Sequence, residues 1–312
     1  METQILSDEQ GIRVDIKVLH ILKEQYGFEL TRTVVQEYFQ GGCKVNGKPC
    51  KRSYRLKEGD LIYVDQEYWQ GIYRGLDLSK EIKAQKGTLD IRYEDDELMV
   101  LYKPKGLVVH PGVGNKENTL ANYLREYLES RNSYDSLMDR SGIVHRLDKG
   151  VSGLMVVAKN KETQEYLKTL FQNKDVVKIY HAYLEESKKL EQEISLKKYL
   201  KEMNINLQPW KDWLKVEGYI GRSSSNRYRM EFKTYEFGGS KYALSYIFFS
   251  GDEALIKIET GRMHQIRGTL KHLGYHIKGD SLYGKGSGNE IMLESVLLSF
   301  KKRDGEILTL VV

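Results

Sequence analysis

The strongest constraint on this chain is a rhythm that begins near residue 89, where short apolar runs alternate with stretches of helical spacing and glycine-rich turns separate them. LMVLYK, GLMVVAK, VVKIYHAYLE and ALIKIET are of strand length and rich in β-branched and aromatic residues. The pattern predicts an α+β domain over residues 89–312, with helices and loops around a mixed, mainly antiparallel sheet. No run is long and apolar enough to span a bilayer.

Residues 1–66 read as a second, small α+β domain. In RVDIKVLHILKEQYG the apolar residues Val14, Val18, Leu19 and Leu22 recur at helical spacing, and Gly27 supplies a stop. A second helix is predicted from the capping residue Thr31 through Val34, Val35, Tyr38 and Phe39 to Gly41-Gly42. Asn46-Gly47 in CKVNGKPC is a hairpin signal, and LKEGDLIYV adds a turn and a strand. Residues 67–88 mix glycine with charge and lack a clean period, which assigns them to a linker.

Composition narrows the class. Hydrophobic residues at 40% and charged residues at 30% describe a soluble globular protein. METQILSDEQ lacks the basic end and apolar stretch of a secretory signal, so a cytoplasmic location is expected. Cys43 and Cys50 form neither a disulfide framework nor a C-x-x-C motif and read as structural thiols. His110, His145, His264, His272 and His276 have no zinc spacing, so no metal is expected. The net charge of +5, from 49 basic and 44 acidic residues, fits an anionic partner without requiring one.

Three segments carry candidate chemistry. In SGIVHRLDKGVSGLMVVAKN, the polar loop 145–150 precedes a strand over Leu154 to Ala158, with Ser152-Gly153 as the turn. The loop presents Asp148, although an aspartate beside glycine is also an ordinary turn former. In VVKIYHAYLE, alternation puts Lys178, Tyr180 and Ala182 on one strand face. Tyr180 is then either a ligand platform or a common sheet aromatic. In ETGRMHQIRGTLKHLG, a helix carries Met263, Ile266, Leu270 and Leu273 on its apolar side and ends at Gly274. Arg267 points toward that side, where it needs an anion unless it reaches solvent from the stripe's edge.

Six stretches in order, KPKGLVVHPG, HRLDKGVSGLMVVAK, KIYHAYL, IGRSSSNRYRM, TGRMHQIR and GDSLYG, resemble the RluA/RluD-type family of pseudouridine synthases and cover most of residues 89–300. The resemblance implies an enzyme that isomerises chosen uridines in structured RNA, large-subunit ribosomal RNA above all, with no metal, nucleotide or redox cofactor. It makes Asp148 the nucleophile, Tyr180 the platform on which uracil stacks and Arg267 the ion-pair partner of Asp148. Arg146 is associated with displacing the target base. His145, Lys178, Arg262 and Gln265 are the further candidates for substrate contact. The expected geometry is a two-pronged Arg267–Asp148 pair.

The first 66 residues resemble a small RNA-binding domain first seen in a ribosomal small-subunit protein, through Arg13, Asp15, Thr31, Arg32, Val45, Asn46, Gly47, Gly59 and Asp60. That likeness makes Arg32, Lys44, Lys48, Lys51 and Arg52 candidate phosphate contacts. Departures from the catalytic pattern occur at Val151, Gly268-Thr269 and Leu293-Glu294-Ser295. The Lys/Glu-rich stretch between Glu185 and Tyr219, with Trp210 and Trp213, does not align and reads as a solvated surface segment. Alternatives are a transfer-RNA pseudouridine synthase and a catalytically silent RNA-binding ribosome assembly factor. Self-association is not implied.

Overall fold

The computed structural model describes residues 2–28, 30, 32–79, 82–112, 114–185, 195–226, 228–284 and 290–312, with the backbone alone at Glu2, Thr33, 74–79 and Lys197. The chain divides into two compact units, Met1–Glu81 and Ile82–Val312.

The small unit runs β1 (Glu2–Gln4), α1 (Val14–Tyr26), α2 (Arg32–Gly42), β2 (Cys43–Val45), β3 (Leu61–Val64) and α3 (Gln66–Ser79). Its strands pair antiparallel in the order β1-β3-β2. Gly27 ends α1 in the left-handed region and donates back to Leu22 and Lys23. Thr31, the expected cap of α2, lies outside the described residues. Asn46 and Gly47 both have positive φ, as the hairpin turn requires, but one bridge, Val45 to Lys48, closes it, and β2 pairs with β3 instead.

The linker expectation for 67–88 is corrected. Its first part is α3, whose Trp69 is wholly buried with Val18, Leu22, Val35 and Phe39. The indole Nε1–H donates to the Gly42 carbonyl at 2.9 Å. A Cβ on Gly42 would lie 2.3 Å from that ring, so only glycine admits α3 here. Tyr68, Trp69, Ile72 and Tyr73 form the packed face. Gly71 and Gly75 hide that period in the sequence.

The large unit runs β4 (Asp90–Glu94), β5 (Leu98–Lys103), α4 (Leu120–Glu129), β6 (Ser152–Ala158), α5 (Lys161–Asn173), β7 (Val177–Tyr183), α6 (Leu196–Glu202), β8 (Leu214–Arg222), β9 (Met230–Lys233), β10 (Lys241–Ser250), β11 (Glu253–Ile258), α7 (Gln265–His272), β12 (Leu293–Lys301) and β13 (Ile307–Val311). The described residues form a ten-stranded sheet in the order β4-β5-β6-β12-β7-β11-β10-β8-β9, with β13 also on β12. Only the β6–β12 pair is parallel among the pairings of the described residues, so the α+β, mainly antiparallel expectation holds. β6 is buried at every position, which is why its sequence is a continuous apolar run instead of an alternating one.

Two expectations about local structure change. Ser152-Gly153 is the start of β6 and not a turn: Gly153, at φ 118°, pairs with Ser295 of β12. A Cβ there would meet the Ser295 backbone at 2.3 Å, so the missing side chain allows the strands to approach. The segment ahead of β8 is not a solvated loop where it is described. Leu196, Leu200, Trp210 and Trp213 pack against Ile179, Leu255 and Leu297 to form a second core. The main core lies on the opposite sheet face and includes Tyr180, Ile256, Ile266 and Leu270.

Candidate active site

One cavity of about 490 Å³ opens in the large unit, and the three sequence segments singled out above all reach it. The loop before β6 brings Asp148 and Arg146, β7 brings Lys178 and Tyr180, and the β11–α7 turn with α7 brings Arg262, His264 and Arg267. The end of α5 adds Phe171 and Lys174.

The Asp148 loop is fixed by its backbone. Val151 N–H donates to the Asp148 carbonyl at 3.0 Å, and Gly106 N–H donates to that of Lys149 at 2.8 Å. Lys103, wholly buried, extends Nζ to the carbonyls of Pro104 (2.8 Å), Leu107 (2.9 Å) and Lys149 (3.4 Å). Burial lowers its pKa to about 8 against the opposing field of Asp148. In KPKG the first lysine, Lys103, thus ties that loop to the loop of Asp148. The signal was present, because alternation puts Lys103 on the same face as the buried Met99 and Leu101.

Arg267 meets two carboxylates. Its Nη1 is 3.8 Å from Asp148 Oδ2, whose side chain is 27% exposed. Its two-pronged bond goes elsewhere: Nε and Nη2 donate to Asp280 Oδ2 and Oδ1 at 2.8 and 2.7 Å. The expected Arg267–Asp148 fork is therefore corrected. Asp280 outcompetes Asp148 because it is buried, and Oδ1 is also held by the N–H groups of Leu282 and Tyr283 at 3.0 Å. Burial alone would raise the Asp280 pKa, yet Arg267 and those N–H groups bring it below the usual range. GDSLYG contains Asp280, but no local period in the sequence marks this carboxylate as the partner of Arg267.

His264 has φ 53° and precedes α7, with Nε2 3.8 Å from Asp148 Oδ2 and Nδ1 3.0 Å from the Tyr283 hydroxyl. Burial lowers its pKa, with Asp148 opposing. α7 starts two residues after Met263, which is 47% exposed and does not join the predicted apolar stripe. Tyr180 is 6% exposed and lines the cavity beside Leu293. Burial, then the charge of Asp148, raises its pKa.

Other candidates separate by what their polar atoms already do. Gln265 is saturated: Oε1 accepts from Thr260 and from Arg262 N–H, and Nε2 donates to Leu244 and Ser245. It locks the β11–α7 turn, which corrects its reading as a substrate ligand. His145 is likewise structural, because Nε2 accepts from Val156 N–H at 3.0 Å and its ring stacks on Phe171. Burial, then the charge of Lys178, lowers its pKa to about 3. Arg262 spends Nε on the Tyr242 carbonyl at 2.9 Å and lines the cavity. Arg146 lines the cavity and is exposed.

In the small unit, Lys44, Lys48, Lys51 and Arg52 are exposed. Arg52 donates to the Gln36 carbonyl at 3.2 Å. Arg32 is not a free cation: with Arg13 and Gln36 it converges on the wholly buried Asp15. These partners overcome burial and lower the Asp15 pKa to about 2. Among the described residues no group of three or more His, Cys, Asp or Glu could hold a metal, and no helix is long and apolar enough to cross a membrane.

A tyrosine on the sheet, the part-exposed carboxylate of Asp148 and several cations share this cavity, an arrangement that suits a flat, anionic ligand. The comparisons give that arrangement its family. Residues 97–272 match the RNA pseudouridylate synthase family profile. An uncharacterized RNA pseudouridine synthase from Chlorobaculum parvum is 34% identical over 284 residues, covering 89% of this chain and 78% of that one. Ribosomal large subunit pseudouridine synthase D from Haemophilus ducreyi is 30% identical over 319 aligned positions, covering 97% and 83%. The solved structure of human RNA pseudouridylate synthase domain containing 1 shares the fold at TM-score 0.50 and 22% identity, covering 73% and 85%. This chain belongs to the RNA pseudouridylate synthase family and is a pseudouridine synthase.

Proposed function

We propose that this enzyme isomerises uridine in large-subunit ribosomal RNA, with Asp148 as the nucleophile. The observation that supports this most is the meeting of Asp148, Tyr180 and Arg267 on one cavity, with the guanidinium 3.8 Å from the carboxylate. Isomerisation breaks the N-glycosidic bond, turns the uracil and rejoins it to the ribose through carbon. A carboxylate that adds covalently divides this into easier steps. Arg267 supplies a positive charge beside it, and Tyr180 offers an aromatic surface on which a base stacks yet still turns.

A paired uridine must first leave its helix, and the exposed Arg146 is suited to fill the space it vacates. The ribosomal assignment rests on relatives named for the large subunit, such as the Haemophilus ducreyi protein. Lys44, Lys48, Lys51 and Arg52 suit phosphate contact by the small unit, which we assign to RNA binding.

The test maps pseudouridine in total RNA from cells lacking the protein after adding purified wild type or Asp148→Asn. Wild type should restore sites in large-subunit RNA, and the variant none, while its RNA affinity stays within about tenfold of wild type. Turnover by the variant refutes the nucleophile, and restoration confined to transfer RNA refutes the ribosomal substrate.

A further inference from the structure

Four lysines are buried among the described residues, Lys103, Lys178, Lys257 and Lys302, and three of them are paired. Lys103 has its carbonyl cage, Lys257 is bound to Glu259, and Lys302 meets Asp304 and Glu306. Lys178 differs. It is 9% exposed and lines the cavity, and its Nζ contacts the Phe171 ring at 5.2 Å with no hydrogen bond or ion pair among the described residues. A cation–π contact compensates only part of what an ammonium loses on leaving water. Burial, then the charge of Lys257, lowers its pKa to about 8 with Glu259 opposing. A buried cation facing a cavity is stabilised when a ligand brings the missing acceptor.

The surroundings select the ligand. Lys174 and Arg262 line the same cavity, and Glu259, the acid whose charge acts on Lys178, is already bound by Lys257. This wall therefore favours an anion. Lys178 stands two positions before Tyr180 on the same strand face, about 7 Å along β7. That step exceeds the distance from a pyrimidine's centre to its own oxygens and matches the larger span from base to phosphate.

We propose that Lys178 binds a backbone phosphate of the RNA at the target nucleotide, so that the cavity holds a whole nucleotide, base at Tyr180 and phosphate at Lys178. This rests on the uridine-site reading above.

The test compares full-length wild type, Lys178→Met and Lys178→Arg on unmodified total RNA from cells lacking the enzyme, a pool that contains the substrate whichever RNA class it is. Lys178→Met should raise KM about tenfold at ~0.1 M salt, leave kcat within about twofold and reduce the slope of log affinity against log salt by about one. Lys178→Arg should retain the slope, and Lys178→Met should melt no lower than wild type because it removes an unpaired charge. An unchanged KM and slope in Lys178→Met overturns the phosphate site. So does a loss confined to kcat, which would place Lys178 in the chemistry. Failure of wild type to modify the pool would instead sink the uridine reading.

Discussion

Replacing Asp280 by asparagine isolates the carboxylate that sequence reasoning passed over. The buried side chain accepts four hydrogen bonds: Oδ1 from Arg267 Nη2, Leu282 N–H and Tyr283 N–H, and Oδ2 from Arg267 Nε. Asparagine keeps one oxygen for the two backbone donors and sets an NH2 against Nε–H. One charge-assisted bond, worth about 1.5–3 kcal/mol, is lost. The guanidinium, 13% exposed, is left with Asp148 at 3.8 Å as its carboxylate partner. Breaking a buried pair from one side costs about 3–5 kcal/mol, so a loss of about 3 kcal/mol is expected for this partial break.

Urea unfolding at pH 7, followed through Trp210 and Trp213 in the large unit, measures it, and turnover on RNA should fall because Arg267 is no longer held. The pH dependence has a fixed sign. Because the Asp280 pKa is lowered on folding, its contribution is complete above the unfolded value of about 3.9 and is lost as pH falls through the folded value. Wild type and variant should therefore converge in stability as the pH drops below about 4. A variant within about 0.5 kcal/mol of wild type at pH 7, with wild-type turnover, refutes the role given to this pair.

His145 and His110 have pKa values lowered by burial to about 3 and about 4, so the unfolded chain binds protons there that the folded one does not. Stability should fall as pH drops below about 6.5, by at most about 1.4 kcal/mol per pH unit for each ring, and His145→Asn should make urea-midpoint curves shallower between pH 6.5 and 4; an unaltered slope counts against a neutral, partly buried His145. Trp213→Ala should cost about 3–5 kcal/mol in the same unfolding assay, since Trp213 packs in the second core with Trp210 and Phe248. A loss below about 1 kcal/mol would mean that this layer contributes little.

What was legible in the sequence and what was not divide along a physical line. Strand alternation and glycine punctuation are local, so the sheet class, α1 and the loop of Asp148 could be read directly. Asp148, Tyr180 and Arg267 were placed on a loop, a strand and a helix, and these do converge on one cavity. Features made by pairing across the chain were hidden. Trp210 and Trp213 sit among charged neighbours, and only the fold brings Leu255 and Leu297 to cover them. α3 was lost because glycines interrupt its period, although the same helix buries Trp69 completely. Gln265 and His145 look like ligands in a motif until their hydrogen bonds are counted.

The same distinction explains the form of the Arg267 contact. Periodicity could say that a buried guanidinium needs an anion, but not which of two carboxylates supplies it. A lone carboxylate would be drawn into a fork that uses both of its oxygens. With Asp280 occupying the Nε and Nη2 edge, Asp148 lies beside Nη1 at 3.8 Å and keeps a side chain 27% exposed. Under the proposed chemistry this division of labour matters, because the nucleophile needs a neighbouring positive charge and an oxygen free to form a bond, and one guanidinium shared between two aspartates supplies both.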